Sequence, residues 1–401
     1  MSTAAVAPPT ISSTRRWAML GASTLAQACA AIMMHGPAFL IPVLHQRLGL
    51  SLAQAGLVAA APTVGVMVAL VAWGAVTDAY GERIVLITGL AGTAVLGLGA
   101  VLAGDLVLFA VLIGLAGASA ASANSASGRV VVGWFPPERR GLAMGIRQMA
   151  QPAGVGIAAI SIAVVAQHRG IHAAIAVPTV AAAVAAVVVA LVVIDPPRPT
   201  RPAGTSRSHG NPYRGDGYLA RIHGVSVLLV VPQFVVWTFA LVWLVQDRDW
   251  SAAAAGAVVA VAQIFGALGR IAAGQLSDVV GSRMRPLRWV AVAAAAVMLL
   301  LGVTAGTGWW VAVPLMVVAT MLTVADNGLA FTAVAERAGP FWSGRALGIQ
   351  NTAQFLTSSL VPPLGGLAVA AAGFSWAFAL AALFPILAAP LVPVAGEREL
   401  A

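Results

Sequence analysis

Lysine is absent from the 401 residues, and all 22 basic side chains are arginine. A P-loop needs its Gly-Lys-Ser/Thr core to cradle phosphates, so this chain has none with which to drive pumping by ATP. Charge of either sign is scarce: 9% of residues are charged and 60% are hydrophobic, against roughly a quarter charged in an average soluble domain. Lipid, not water, must surround most of such a surface. The single cysteine, Cys29, falls within the first apolar run, which excludes a disulfide framework and a thiolate metal site. The net charge of +9 invites a nucleic-acid reading, but the arginines sit in short gaps between apolar runs instead of sharing one face with aromatics. No metal, cofactor or nucleic acid is expected.

A bilayer crossing takes about 20 apolar residues, and helix is the open-ended structure that satisfies its own backbone in hydrocarbon. Twelve segments qualify: 17–43, 53–76, 84–103, 106–134, 142–166, 172–194, 221–245, 252–276, 287–305, 309–335, 346–371 and 374–394. Residues 195–220, rich in Pro, Gly, Ser and Arg, are too polar to enter lipid and too poor in apolar residues to fold alone, so they read as a cytoplasmic linker. Arg15 and Arg16 precede the first span as an anchor, because no convincing cleavage region follows them. With the N-terminus inside, 16 arginines fall on the cytoplasmic side, 3 outside and 3 within spans. That bias places both termini in the cytoplasm of a bacterial-type plasma membrane. Trp309 and Trp310 open the tenth span at the outer surface, where indoles suit the headgroup level.

The second half repeats the first. An offset of 200 aligns Ser51 with Ser251, Gly56 with Gly256, Gly74 with Gly274, Asp78 with Asp278, Gly81 with Gly281 and Arg83 with Arg283. An offset of 203 aligns Asn124 with Asn327, Gly141 with Gly344, and Gly145–Gln151 with Gly348–Gln354. Six spans per copy keep both copies in the same orientation, related by an axis along the membrane normal, with a solute path between them. The expected architecture is all-α, with twelve transmembrane helices in two parallel six-helix repeats: bundles at 1–194 and 221–401, and the linker at 195–220.

GAVTDAYGERIVL at 74–86 and GQLSDVVGSRMRPL at 274–287 resemble the paired signature loops of the major facilitator superfamily. Gly74, Asp78, Gly81 and Arg83 match that loop, while Ala79 and Glu82 stand where basic residues are usual. The resemblance implies a gating latch built on these residues and on Gly274, Asp278, Gly281 and Arg283. WFPPERRGLAMG at 134–145 and the pattern from Gly269 to Asp278 resemble, weakly, the cyanate, nitrate and oxalate/formate porters.

A charge inside a span costs at least ~2.5–3.5 kcal/mol, so it normally faces a partner or a wet cavity. Arg129, Arg147, Arg270 and Asp326 lie in spans, and their counterparts are Thr332, Gln350, Leu70 and Ala123, so all four break the duplication. Arg147, Gln151 and Gly154 share one helical face, as do Gln350, Gln354 and Ser358, so two polar stripes are expected to face a common solute path. Guanidinium matches carboxylate, nitrate or phosphate oxygens, which makes Arg147 and Arg129 anion ligands or else partners in salt bridges. Arg270 is expected in a latch with Glu336. Asp326 reads either as the proton-coupling group or as a permanent partner of an arginine, and His35 as a proton relay or solute ligand or else as a buried, satisfied histidine. Asn124, Asn327, Gln27, Gln233 and Trp237 lie in the spans that line the cavity in the resembling family.

These residues point to a secondary active transporter, not an enzyme. It is expected to act as a monomer and to move a small solute, anionic by its excess of buried arginine, by alternating access coupled to protons or to exchange. A proton-coupled multidrug efflux pump is the alternative. A receptor without transport has no large soluble domain through which to signal.

Overall fold

The computed structural model describes residues 11–197, 211–214 and 216–397. The body of the predicted linker at 198–210, Gly215, the first ten residues, and Arg398 with the residues after it lie outside that set. Thirteen α-helices carry the described residues: α1 (Ser13–His35), α2 (Ile41–Gln46), α3 (Leu52–Tyr80), α4 (Glu82–Val101), α5 (Leu106–Trp134), α6 (Pro137–Gln148), α7 (Ala150–Val192), α8 (Tyr218–Gln246), α9 (Ala252–Val280), α10 (Met284–Gly306), α11 (Ala312–Ala338), α12 (Ser343–Ala381) and α13 (Leu383–Leu391). Ten continuous helical stretches among these residues are long and apolar enough to cross a membrane. Two of them, Pro137–Val192 and Ser343–Gly396, run to 56 and 54 residues, about twice what one crossing needs.

Each long stretch folds back at a glycine. Gly170 has φ 84° and ψ 175°, and Gly373 has φ 82° and ψ 172°. Such a backbone is open to glycine and strained for any residue with a Cβ. The two glycines stand 203 apart, the offset of the duplication itself. The reversal is visible in the contacts of α7. Before the turn, Gly154 packs on Ala28 and Ala31 of α1. After it, His172 Nδ1 lies 3.1 Å from the carbonyl oxygen of Ala100, and Asp195 accepts the Arg83 N–H at 2.7 Å. Ten stretches with two reversals make twelve crossings.

The repeats start alike because their caps are alike. Ser51 and Ser251 each accept an N–H three residues on at 3.2 Å, opening α3 and α9, both 29 residues long. At 1.5 Å per residue each helix spans about 43 Å, more than the roughly 30 Å hydrocarbon layer. Packing repeats as well: α3 lies on α5 as α9 lies on α11, α4 on α5 as α10 on α11, and α1 on α7 as α8 on α12. The halves meet through a matched pair of contacts, α3 with α12 and α9 with α6.

The outside is apolar: Val68 is 80% and Leu191 79% exposed, while Arg147 is 1% exposed. Water would reverse that arrangement, and lipid explains it. Residues 11–17 and 392–397 lie on one face of the bundle, called here the terminal face. There Trp17 meets Phe135 edge-on at 5.2 Å, and Glu397 accepts from Ser282 and Arg283. The end of the linker is fastened to this face. Asp216 pairs with Arg337 and accepts the Tyr218 N–H, and the two contacts hold its carboxyl below the usual carboxylate range.

Candidate functional site

Two clusters join the halves at the terminal face, and each is built from both halves. Gly74 of α3 faces Gly344 of α12 so closely that a Cβ on Gly74 would stand 2.4 Å from the Gly344 carbonyl oxygen. Gly274 of α9 meets Gly141 of α6 in the same way, at 2.1 Å. About one turn deeper the contact repeats, with Gly348 against the carbonyl of Leu70 and Gly145 against that of Arg270. Backbone-to-backbone packing of this kind leaves no room for a side chain at the contact, which is why glycine stands at both members of the two outer pairs and at one member of each deeper pair.

The close approach brings an aspartate of one half to the first turns of a helix in the other. Asp78 accepts from the N–H groups of Gly344 and Arg345 at 2.8 and 3.0 Å. Asp278 accepts from those of Gly141 and Leu142 at 2.9 and 2.8 Å. A carboxylate is favoured there by early N–H groups and by the positive end of the helix dipole. Each aspartate also holds an arginine. Arg129 lies 2.8 Å from Asp78 and 2.9 Å from Glu82, and it donates to the Pro340 carbonyl at 2.6 Å. Arg283 lies 2.5 Å from Asp278 and 3.2 Å from Glu336, and it donates to the Pro137 carbonyl at 2.6 Å. Pro137 and Pro340 are again 203 apart. The two clusters are therefore equivalent in space while their arginines are not equivalent in sequence. The true counterpart of Arg283 is Arg83, which bonds Asp195 and the Ala190 carbonyl within its own half.

Between the halves, deeper than the clusters, lies a cavity of about 70 Å³. Of the residues expected to meet solute, His35, Asn124, Arg147 and Gln151 line it from the first half, and Gln233, Trp237, Asn327 and Gln354 from the second. Arg129 and Gln350 do not. Arg129 is taken up by the carboxylates of the first cluster. The Gln350 amide turns to α8 instead, donating to Ser226 and meeting His223, whose Nε2 lies 2.9 Å from the Tyr213 hydroxyl. Arg270 departs from expectation in the opposite sense. It lines the cavity, donating to the carbonyls of Gln148 at 3.2 Å and Val324 at 3.4 Å, while Glu336 pairs with Arg140 and Arg283.

Amides form a matched triad on each wall. Gln27 donates to Asn124 at 2.9 Å and to Gln151 at 3.3 Å. Opposite, Asn327 donates to Gln233 at 3.1 Å and accepts from Gln354 at 3.1 Å. Asymmetry enters with Arg147, which donates to Ser127 at 2.7 and 3.0 Å, to Gln27 at 2.9 Å and to Gln148. Among the described residues no carboxylate pairs with it within 4.0 Å. Asp326 sits on α11 behind the wall, 1% exposed, with no side-chain donor to either carboxylate oxygen among the described residues and Arg270 as its electrostatic neighbour. The Trp237 indole N–H is likewise buried without a partner.

Sequence reasoning passed over Gln148, Asn351, Phe234, Phe331 and Phe355, all of which line the cavity. Gln148 and Asn351 carried a signal, because they are polar, adjacent to the residues singled out, and paired by the 203 offset. The phenylalanines carried none, since an apolar residue in an apolar span looks the same facing lipid or solute.

Residues 23–362 match the family described as the Major Facilitator Superfamily. The chain belongs to the major facilitator superfamily. It is thereby a transporter, and its twelve crossings are the number that family has. An uncharacterized MFS-type transporter of Mycobacterium tuberculosis strain H37Rv is 46% identical over 379 residues, covering 94% of this chain and 85% of that protein. The fold is shared with the transporter FucP in its outward conformation, at TM-score 0.77 and 14% identity over 94% of this chain and 99% of FucP. It is shared too with the proton:xylose symporter XylE bound to a deoxy-glucose, at TM-score 0.76 and 16% identity over 97% and 98%. At such identities the two structures speak for the fold of this facilitator and not for its solute.

Proposed function

We propose that this transporter carries a small anion by alternating access, coupled to protons or to counter-substrate exchange. The observation that carries this reading is Arg147: a guanidinium 1% exposed, bordering the cavity, with neutral groups as its bonded partners. A buried cation without a counter-ion is costly, and a solute anion supplies the missing charge. Arg270 adds a second positive group on the opposite wall. The size of the cavity, about 70 Å³, suits a solute of a few heavy atoms better than an amphipathic drug. The aromatic residues Phe234, Trp237, Phe331 and Phe355 on the second wall are what favours drug efflux as a second reading.

In this mechanism the bundles 1–194 and 221–401 rock about the cavity, joined by the linker 195–220, in a plasma membrane with both termini cytoplasmic. The aspartate clusters are the inner gate, closed in the conformation described. Asp78 and Asp278 release the helix ends of the opposite half when it opens, and Gly81 and Gly281, both with positive φ, turn the chain into the next helix. Asp326 is the coupling group: it is buried beside Arg270, so an anion that engages Arg270 changes the charge this carboxyl faces.

The test is uptake of labelled small carboxylates and inorganic anions into proteoliposomes, beside extrusion of a fluorescent cationic dye. Anion uptake that disappears in Arg147→Gln is expected. Dye extrusion without anion uptake would replace this reading with the second one.

A further inference from the structure

On the outer surface of the second half, at the terminal face, a groove of about 440 Å³ runs between the start of α10 and the turn after α13. Arg285 and Arg288 stand at its mouth, Trp289 beside them, Val292 and Ala296 continue along the same stripe of α10, and Val394 forms the facing wall. Spacings of three and four residues put these side chains on one helical face. Among the described residues neither guanidinium has a hydrogen-bonded acceptor or a carboxylate within 4.0 Å. Both belong to exposed residues, and Trp289 is 51% exposed. The corresponding helix of the first half, α4, carries no arginine after Arg83 and no tryptophan. The scaffold shared by the two repeats therefore does not call for the trio.

We infer that this groove is a binding site for one anionic phospholipid, with the phosphate on Arg285 and Arg288 and an acyl chain lying along Val292 and Ala296 toward the bilayer interior. Charge complementarity selects the headgroup, since two unpaired guanidinium groups fork onto phosphate oxygens. The apolar floor selects a lipid over a free phosphate, because Val292 is 55% exposed on a surface that only hydrocarbon can cover. Trp289 lies between the two zones, at the level that indoles occupy in a leaflet. The site is apart from the central cavity and independent of the solute.

The experiment is native mass spectrometry of the full chain, delipidated and then titrated with phosphatidylglycerol or phosphatidylcholine, with melting temperature recorded in parallel. One phosphatidylglycerol should bind in preference to phosphatidylcholine. Affinity should fall roughly 5-fold for each of Arg285→Gln and Arg288→Gln, and roughly 30-fold for the double variant. Arg15→Gln, an exposed arginine on the same face away from the groove, should leave binding unchanged. Melting of the double variant in phosphatidylcholine should match the parent, which separates lost binding from lost folding. Retention of phosphatidylglycerol by the double variant, or an equal loss in Arg15→Gln, would overturn the site. Protection by glycerol phosphate equal to that by the intact lipid would overturn it too.

Discussion

The two aspartate clusters between the halves are spatial copies, whereas the two walls of the cavity match in their amides and differ in their charge. Each cluster has one aspartate on N–H groups early in a helix of the opposing half, one glutamate, one buried arginine, a second and more exposed arginine from the opposing half (Arg345 on Asp78, Arg140 on Glu336), and one proline carbonyl across the interface. The cavity has Arg147 on one wall where the other has Gln350, turned away toward His223. On the proposed function, symmetry belongs to what both halves do alike, which is to close on each other, and its breaking to what happens once per cycle, which is to hold a solute.

The sharpest way to break that comparison is to remove the charge from one wall. Arg147→Gln should lower anion transport roughly 100-fold, the scale of a lost buried charge contact. Gln350→Leu, at the paired position, should change the half-saturating anion concentration by less than about 3-fold and act on stability through His223 and Ser226. Equal losses of transport in the two variants would mean that Gln350 reaches the solute in another conformation, and the division between gate and cavity would fail.

The next contrast is between the two gate arginines, which differ in sequence position and agree in role. Arg129→Gln and Arg283→Gln should each destabilise the inward-closed form by about 3 kcal/mol, since each removes the buried cation that bridges two carboxylates and leaves only a more exposed arginine, Arg345 on Asp78 or Arg140 on Glu336. Both should raise the turnover of gate opening while leaving anion affinity alone, as read by thermal unfolding and by uptake kinetics. If Arg129→Gln alone weakened anion affinity, Arg129 would belong to the cavity after all.

Smaller effects test whether each aspartate serves the opposing half. Asp78→Asn should speed hydrogen exchange in the segment 340–351, and Asp278→Asn in the segment 137–148, each by about 10-fold for roughly 1.4 kcal/mol of lost capping. Exchange that accelerated within the mutated half instead would show that the clusters are internal braces and not a gate.

The fate of the arginines shows what was legible in the residues and what was not. Hydropathy and the 200 and 203 offsets are periodic signals spread over many positions, so the twelve crossings and the repeat could be read directly. Arg129 took the salt-bridge reading of its two and Arg270 departed from the expected latch, because helical periodicity tells which residues share a face but not which face meets which neighbour. Depth carried the missing signal. Arg129 stands five residues before the end of α5 and Arg270 ten before the end of α9, about 8 and 15 Å from the terminal face at 1.5 Å per residue. Arg147, ten residues into α6, shares the greater depth, and both deep arginines line the cavity. The turning of Gln350 to His223 had no such signal, because it depends on how α8 and α12 pack.

The smallest contrast lies where the repeats begin. Ser51 and Ser251 both cap a 29-residue helix, but the Gln54 side-chain oxygen accepts a hydrogen bond from the Ser51 N–H, whereas Ala254 has no polar side chain to do so. Ser251→Ala should cost about 1 kcal/mol, the usual value of an N-cap. Ser51→Ala removes one member of a reciprocal pair, leaving Gln54 still able to accept from the residue 51 N–H, so its cost should be the same or a few tenths smaller. Gln54→Ala in the Ser51 background should then cost less than either, with all three read as shifts in thermal unfolding. A loss of more than about 2 kcal/mol from Ser51→Ala alone would show that the cap also fixes the short α2 to α3 turn, a dependence that the matching α8 to α9 turn does not share.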